Sequence, residues 1–121
     1  MKTLMISVRT DDEIFDDFVE AWESGHADPV YRYSFGSWEL LHKMLTPKRV
    51  AIIQAMTGAG PLSIREVARR VDRDFKGVHT DVTALAGGGL INRTADGGVV
   101  FPYDGLRMEV DLPSASAPSP A

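Results

Sequence analysis

Two short apolar stripes separated by three residues constrain this chain more than any other feature. In SIREVARRVDRDFKGVHTDVTALAGGG, residues 63–89, Ile64, Val67 and Val71 recur at steps of three and four. Phe75, Val78, Val82 and Leu85 follow at steps of three, four and three. Each set marks one buried face of a helix. Only Asp72-Arg73-Asp74 lies between them, enough for a tight turn. Ser63 and Glu66 have the S-x-x-E spacing of a capping box. Asp74, or Asp72, is placed to cap the second helix, and Gly87-Gly88-Gly89 closes it. The stripe beginning at Phe75 leaves Lys76, Gly77, His79, Thr80 and Thr83 on the opposite face. That face is polar and compact, and Gly77 would admit a close backbone approach.

The flanks extend this pair. Thr46-Pro47, a hydroxyl cap followed by proline at the first helical position, starts a helix over Pro47–Thr57. Its inner face is Val50, Ile53 and Met56, flanked by Ala51 and Ile52, with Lys48 and Arg49 at its N-terminal end. Gly58-Ala59-Gly60-Pro61 stops it, and Leu62 offers a short strand position. Downstream, Leu90–Thr94 and Val99–Pro102 read as strands joined by the tip Ala95-Asp96-Gly97-Gly98, where Asp-Gly signals a hairpin. Gly105–Leu112 alternates as a last half-buried strand, and Pro113–Ala121 has the composition of a disordered tail.

At the N-terminal end, Thr3–Arg9 alternates as a strand. Thr10 then caps a helix whose first turn is acidic and whose stripe is Ile14, Phe15, Phe18, Val19 and Trp22, ending at Gly25. After a turn at His26–Pro29, Val30–Phe35 reads as a second strand with Tyr31, Tyr33 and Phe35 on one side. Gly36-Ser37 opens a further helix carrying Trp38, Leu41, Met44 and Leu45. A lone strand is unstable, so the three strands should pair with one another or across a dimer.

Several function classes are disfavoured. The chain of 121 residues, 44% hydrophobic and 25% charged, reads as one globular domain or one core with an arm. No apolar run is long enough for a bilayer span, and the N-terminus does not read as a signal peptide, so a cytoplasmic location is expected. There is no cysteine, and His26, His42 and His79 lack metal-ligand spacing, so neither a metal nor a cofactor is expected. No Ser-His-Asp set or positioned carboxylate pair makes a catalytic case, and Gly87–Gly89 closes a helix where a phosphate loop would open one. The net charge of −4 hides an asymmetry. Residues 1–30 hold eight acidic residues against two basic ones, whereas residues 43–93 hold nine basic against four acidic. The bland account is solvated helix faces; the alternative is a basic module carrying an acidic arm.

The expected fold class is α+β: a winged helix-turn-helix domain over 46–112, an N-terminal β-α-β-α dimerisation arm over 1–45, a C-terminal strand, and the tail 113–121. Such a module lays its second helix-turn-helix helix in the DNA major groove. The base-reading set would be Lys76, Gly77, His79, Thr80 and Thr83 on helix 75–87. Backbone contacts would come from Lys48, Arg49, Ser63, Arg65, Arg69, Arg73 and Arg93.

The patterns L-S-x-R-E-x-A-R-x-V and V-H-x-D-V-x-x-L, in GPLSIREVARRVDRDFKGVHTDVTALAGGGLI, together with VVFPYDGLRMEVDL, resemble winged-helix transcriptional regulators of the MarR/ArsR type. They are most similar to a subgroup of small stand-alone regulators, some described as DNA-binding antitoxins. The resemblance implies a cytoplasmic homodimer that binds an inverted repeat in double-stranded DNA as a repressor, with a toxin protein as a further partner. Two departures stand out. The tip lacks the Lys or Arg that wings often carry, and the reading face lacks an arginine for guanine. The competing expectation is a winged helix that binds protein instead of DNA.

Overall fold

Alternation in Thr3–Val8 produces a strand whose Leu4 and Ile6 need cover, and the rest of the chain supplies it. A computed structural model of the protein describes residues 2–9 and 31–111. The expected helix after Thr10, the turn at His26–Pro29 and the tail after Leu112 lie outside these residues. The elements run β1 (Thr3–Val8), β2 (Tyr31–Phe35), α1 (Trp38–Met44), α2 (Pro47–Met56), α3 (Ile64–Val71), α4 (Phe75–Gly87), β3 (Asn92–Arg93), β4 (Val99–Val100) and β5 (Gly105–Glu109). The fold is α+β.

The three longer strands pair with one another within the chain. β1 is central, in the order β2-β1-β5, and parallel to both neighbours. Register places Leu4, Ile6 and Val8 opposite Tyr31, Tyr33 and Phe35, and Leu4 and Ile6 opposite Leu106 and Met108. The period-two aromatics therefore share a face with the apolar side of β1, as their spacing requires. Tyr33 and Phe35 contact each other at 5.0 Å, and Phe101 and Tyr103 at 5.1 Å. Where β5 begins, the Lys2 N–H donates to Asp104 at 2.9 Å and the Asp104 N–H donates back to the Lys2 carbonyl at 2.6 Å.

Each helix starts where a side chain can accept an otherwise unpaired N–H. Ser37, Thr46, Ser63 and Asp74 accept from Leu40, Arg49, Glu66 and Gly77. Asp74 is thus the cap of α4, while Asp72 ends α3 in the left-handed conformation at φ 54°. The apolar faces meet in one buried cluster that joins Leu4, Ile6 and Phe35 of the sheet to Ile52, Ile53 and Met56 of α2, Val67 of α3, and Val78, Val82 and Leu85 of α4. Burial is continuous across position 45. The Tyr33 hydroxyl donates to the Gly88 carbonyl, tying the sheet to the end of α4.

The hairpin is shorter than its sequence suggests. Leu90 and Ile91 are buried at 1% exposure instead of extending a strand, because the core takes both side chains. Pairing is confined to Asn92–Val100 and Arg93–Val99. Leu62 adds a bridge to Val99 through two hydrogen bonds of 2.8 Å. Gly98 makes that approach possible, since a Cβ there would lie 2.7 Å from the Leu62 carbonyl oxygen.

Candidate nucleic-acid interface

Helix α4 presents two unlike faces. Val78, Val82 and Leu85 have 0% exposure, while Lys76, His79, Thr80 and Thr83 are exposed. The Thr80 hydroxyl donates to the Lys76 carbonyl at 3.1 Å, which leaves its lone pairs free to accept. Gly77 is only half exposed. A Cβ there would meet Arg73 and Asp74, each at 3.1 Å, so its missing side chain accommodates the cap of its own helix.

Phe75 departs from the expected buried stripe. It stands at the first position of α4, one turn before Val78, and is 42% exposed. The Arg65 guanidinium lies 5.0 Å over its ring and the His79 ring is 5.7 Å away. Periodicity points Phe75 inward because it reports angle around the axis and not position along it.

Four arginines gather in two pairs, each around one carboxylate. Asp81, on the flank of α4, accepts from Arg49 of α2 at 3.1 Å and from Arg73 of the turn at 2.9 Å. All three side chains are less than a quarter exposed. Burial pushes the Asp81 carboxyl up, but the hydrogen bonds from Arg73 and Arg49 outweigh it and hold it below the usual range. Arg49 also donates to the Met44 carbonyl at the end of α1, at 3.2 Å. Arg49 and Arg73 therefore brace the helices. Asp81 carries no signal in the sequence because its partners are set by tertiary packing, Arg49 lying 32 positions away.

Glu66 gathers the second group. It pairs with Arg69, and with Arg70 at 3.0 Å, and these two hydrogen bonds, Arg69 first, bring its pKa down to about 2. Ser63 supplies its half of the capping box, accepting from the Glu66 N–H at 3.1 Å, while the Glu66 carboxylate is turned toward the arginines. Arg69 keeps an exposed side chain. Lys48, Lys76 and Arg93 are exposed and form no ion pair among the described residues.

The hairpin tip is organised by its own polar groups. Thr94 and Asp96 hydrogen-bond to each other, and the Gly98 N–H donates to the Thr94 hydroxyl at 3.0 Å. These contacts, led by the Thr94 hydroxyl and followed by the Gly98 N–H, depress the Asp96 pKa and keep the tip negative. A shallow cleft of about 150 Å3 is lined by the tip and by Pro61, Leu62 and Ser63. Among the described residues no cluster of His, Asp and Glu could hold a metal ion, and no helix is long and apolar enough to cross a membrane.

The segment from the end of α1 through β5 carries all of these groups. No curated protein and no solved structure matches the chain. The HVO_A0114 family model matches residues 44–108, more than half of the sequence, and the chain belongs to that family.

Proposed function

We propose that this protein is a sequence-specific DNA-binding regulator of the winged helix-turn-helix type that lays α4 in the major groove and acts as a homodimeric repressor. The observation that carries the reading is the exposed face of α4. It offers a lysine, a histidine and two threonines directly opposite a fully buried stripe. A major groove about 12 Å wide admits one α-helix, and donors and acceptors of this size suit base edges.

The surrounding order of elements supports it. α2, a bridging residue at Leu62, α3, a tight turn, α4 and the β3–β4 hairpin follow in the sequence of a winged helix. Charge supports it as well. Asp81 and Glu66 are each shared by two guanidinium groups, so both clusters stay net positive while holding their shape.

Roles then separate. Lys48, Arg65 and Arg93 supply the backbone contacts, with Arg69 beside them; Lys76, expected among the base readers, stands exposed on the first turn of α4 and serves the backbone instead. Arg49 and Arg73 set the angle of α4. Ser63 is engaged in capping α3. The negative tip at Asp96 is poorly suited to phosphate, so the hairpin meets DNA at its base, near Arg93.

Selection of duplexes from random-sequence DNA, followed by footprinting, tests the proposal. Inverted half-sites about 10 bp apart, or a multiple of that, are expected from a two-fold dimer. Failure to enrich any sequence would overturn sequence-specific recognition. In the same assay Lys76→Ala should weaken all duplexes alike, whereas Thr83→Ala should change preference at one position by about 1–3 kcal/mol.

A further inference from the structure

We propose that Phe75 is a base reader that recognises the 5-methyl group of thymine; this rests on the DNA-binding reading above. With about 100° of rotation per residue, His79 lies about 40° around the helix from Phe75, Thr83 about 80° and Lys76 about 100°. Phe75 therefore borders the exposed polar face and stands at its N-terminal end, the end from which recognition helices commonly reach base edges. Phe75 is 42% exposed, while the later members of its stripe are completely covered.

The neighbours identify the occupant. Arg65 lies 5.0 Å over the ring and His79 packs 5.7 Å away, which holds the ring in one place and leaves part of it uncovered. Beside that exposed apolar group stand Arg65 and His79, and the adjoining face of α4 carries Lys76, Thr80 and Thr83, all exposed and polar. An apolar protein partner would have to desolvate these polar groups. A polyanion that carries one isolated apolar group on an otherwise polar surface fits it, and the thymine methyl is that group in the major groove. Phe75 thus supplies part of the specificity that a face without arginine would otherwise lack.

The test uses the intact protein and a duplex it selects from random DNA. Each thymine is replaced in turn by deoxyuridine, which deletes one methyl and leaves every hydrogen-bonding group in place. Binding is read by fluorescence anisotropy at one fixed salt concentration. At one thymine per half-site the wild type should lose about fourfold in affinity, the worth of one buried methyl group. Phe75→Ala should bind the thymine and deoxyuridine duplexes equally, and Phe75→Leu should retain a reduced preference for thymine.

Wild-type binding that is indifferent to deoxyuridine at every position would overturn the assignment while leaving DNA recognition standing. A methyl preference that survives in Phe75→Ala would overturn it too, assigning the methyl to another side chain. If the wild type binds no duplex, the underlying reading falls, and the assignment with it. Should Phe75→Ala fold poorly, Phe75→Leu and the wild-type substitution series still decide the matter.

Discussion

Asp81→Asn isolates the contact that fastens α4 to the rest of the helical layer. The carboxylate accepts two charged hydrogen bonds, at 3.1 Å from Arg49 and 2.9 Å from Arg73. Charged hydrogen bonds contribute about 1.5–3 kcal/mol each in shielded surroundings. Partial exposure returns some of that to water, and asparagine keeps one acceptor oxygen, so a net loss of about 2 kcal/mol is expected. For a domain of this size that lowers Tm by roughly 8 °C. The pH dependence carries the sharper test. Burial raises the Asp81 pKa, the hydrogen bonds from Arg73 and Arg49 lower it by more, and the folded value ends below the unfolded one of about 3.9. A depressed carboxylate contributes its stability in full above the unfolded pKa and loses it as pH falls through the folded value. The difference between wild type and Asp81→Asn should be flat above about pH 5 and close progressively below about pH 4. Glu66 titrates near pH 2 in both proteins and cancels from the comparison. Urea denaturation followed by circular dichroism from pH 7 to pH 3 measures this directly. A difference under about 0.5 kcal/mol at pH 7, or one that acid does not diminish, would refute the role given to Asp81.

Two further substitutions test other joints of the fold. Gly98→Ala places a Cβ against the Leu62 carbonyl, so the Leu62–Val99 bridge must shift, at a cost of about 1–3 kcal/mol; amide exchange at Leu62 and Val99 should accelerate, and unchanged protection there would argue against the close approach. Asp74→Ala removes the acceptor for the Gly77 N–H and should cost about 1 kcal/mol in thermal melts, whereas a neutral result would mean that the start of α4 is held by other contacts.

What the sequence made legible was local. Ser63 and Thr46 cap helices where hydroxyl-plus-spacing rules place them, and α4 spans 75–87 because its stripe and its glycines act within one or two turns. Contacts across the fold were less readable. Asp81 offers no periodic signal, since a carboxylate on a helix flank looks the same whether solvated or braced by Arg49 and Arg73. Phe75 carries the right angle for burial but stands one turn too early to be covered. Leu90 and Ile91 have strand-forming composition, yet the core beneath α4 claims them before pairing begins. Parallel pairing of β1 with both β2 and β5 depends on which edges are free once the helices have packed, and alternation cannot specify that.

Binding of a selected duplex at 50 mM and 200 mM salt decides whether α4 and its basic flank engage DNA. Each phosphate neutralised by Lys48, Arg65, Arg69, Lys76 or Arg93 adds about −0.9 to the slope of log K against log salt. Up to five such contacts on each protomer of a dimer predict a steep fall in affinity over this range, and Lys76→Ala should reduce the slope by about one to two units. Absence of binding at both salt concentrations, or binding that salt leaves unchanged, would contradict the account.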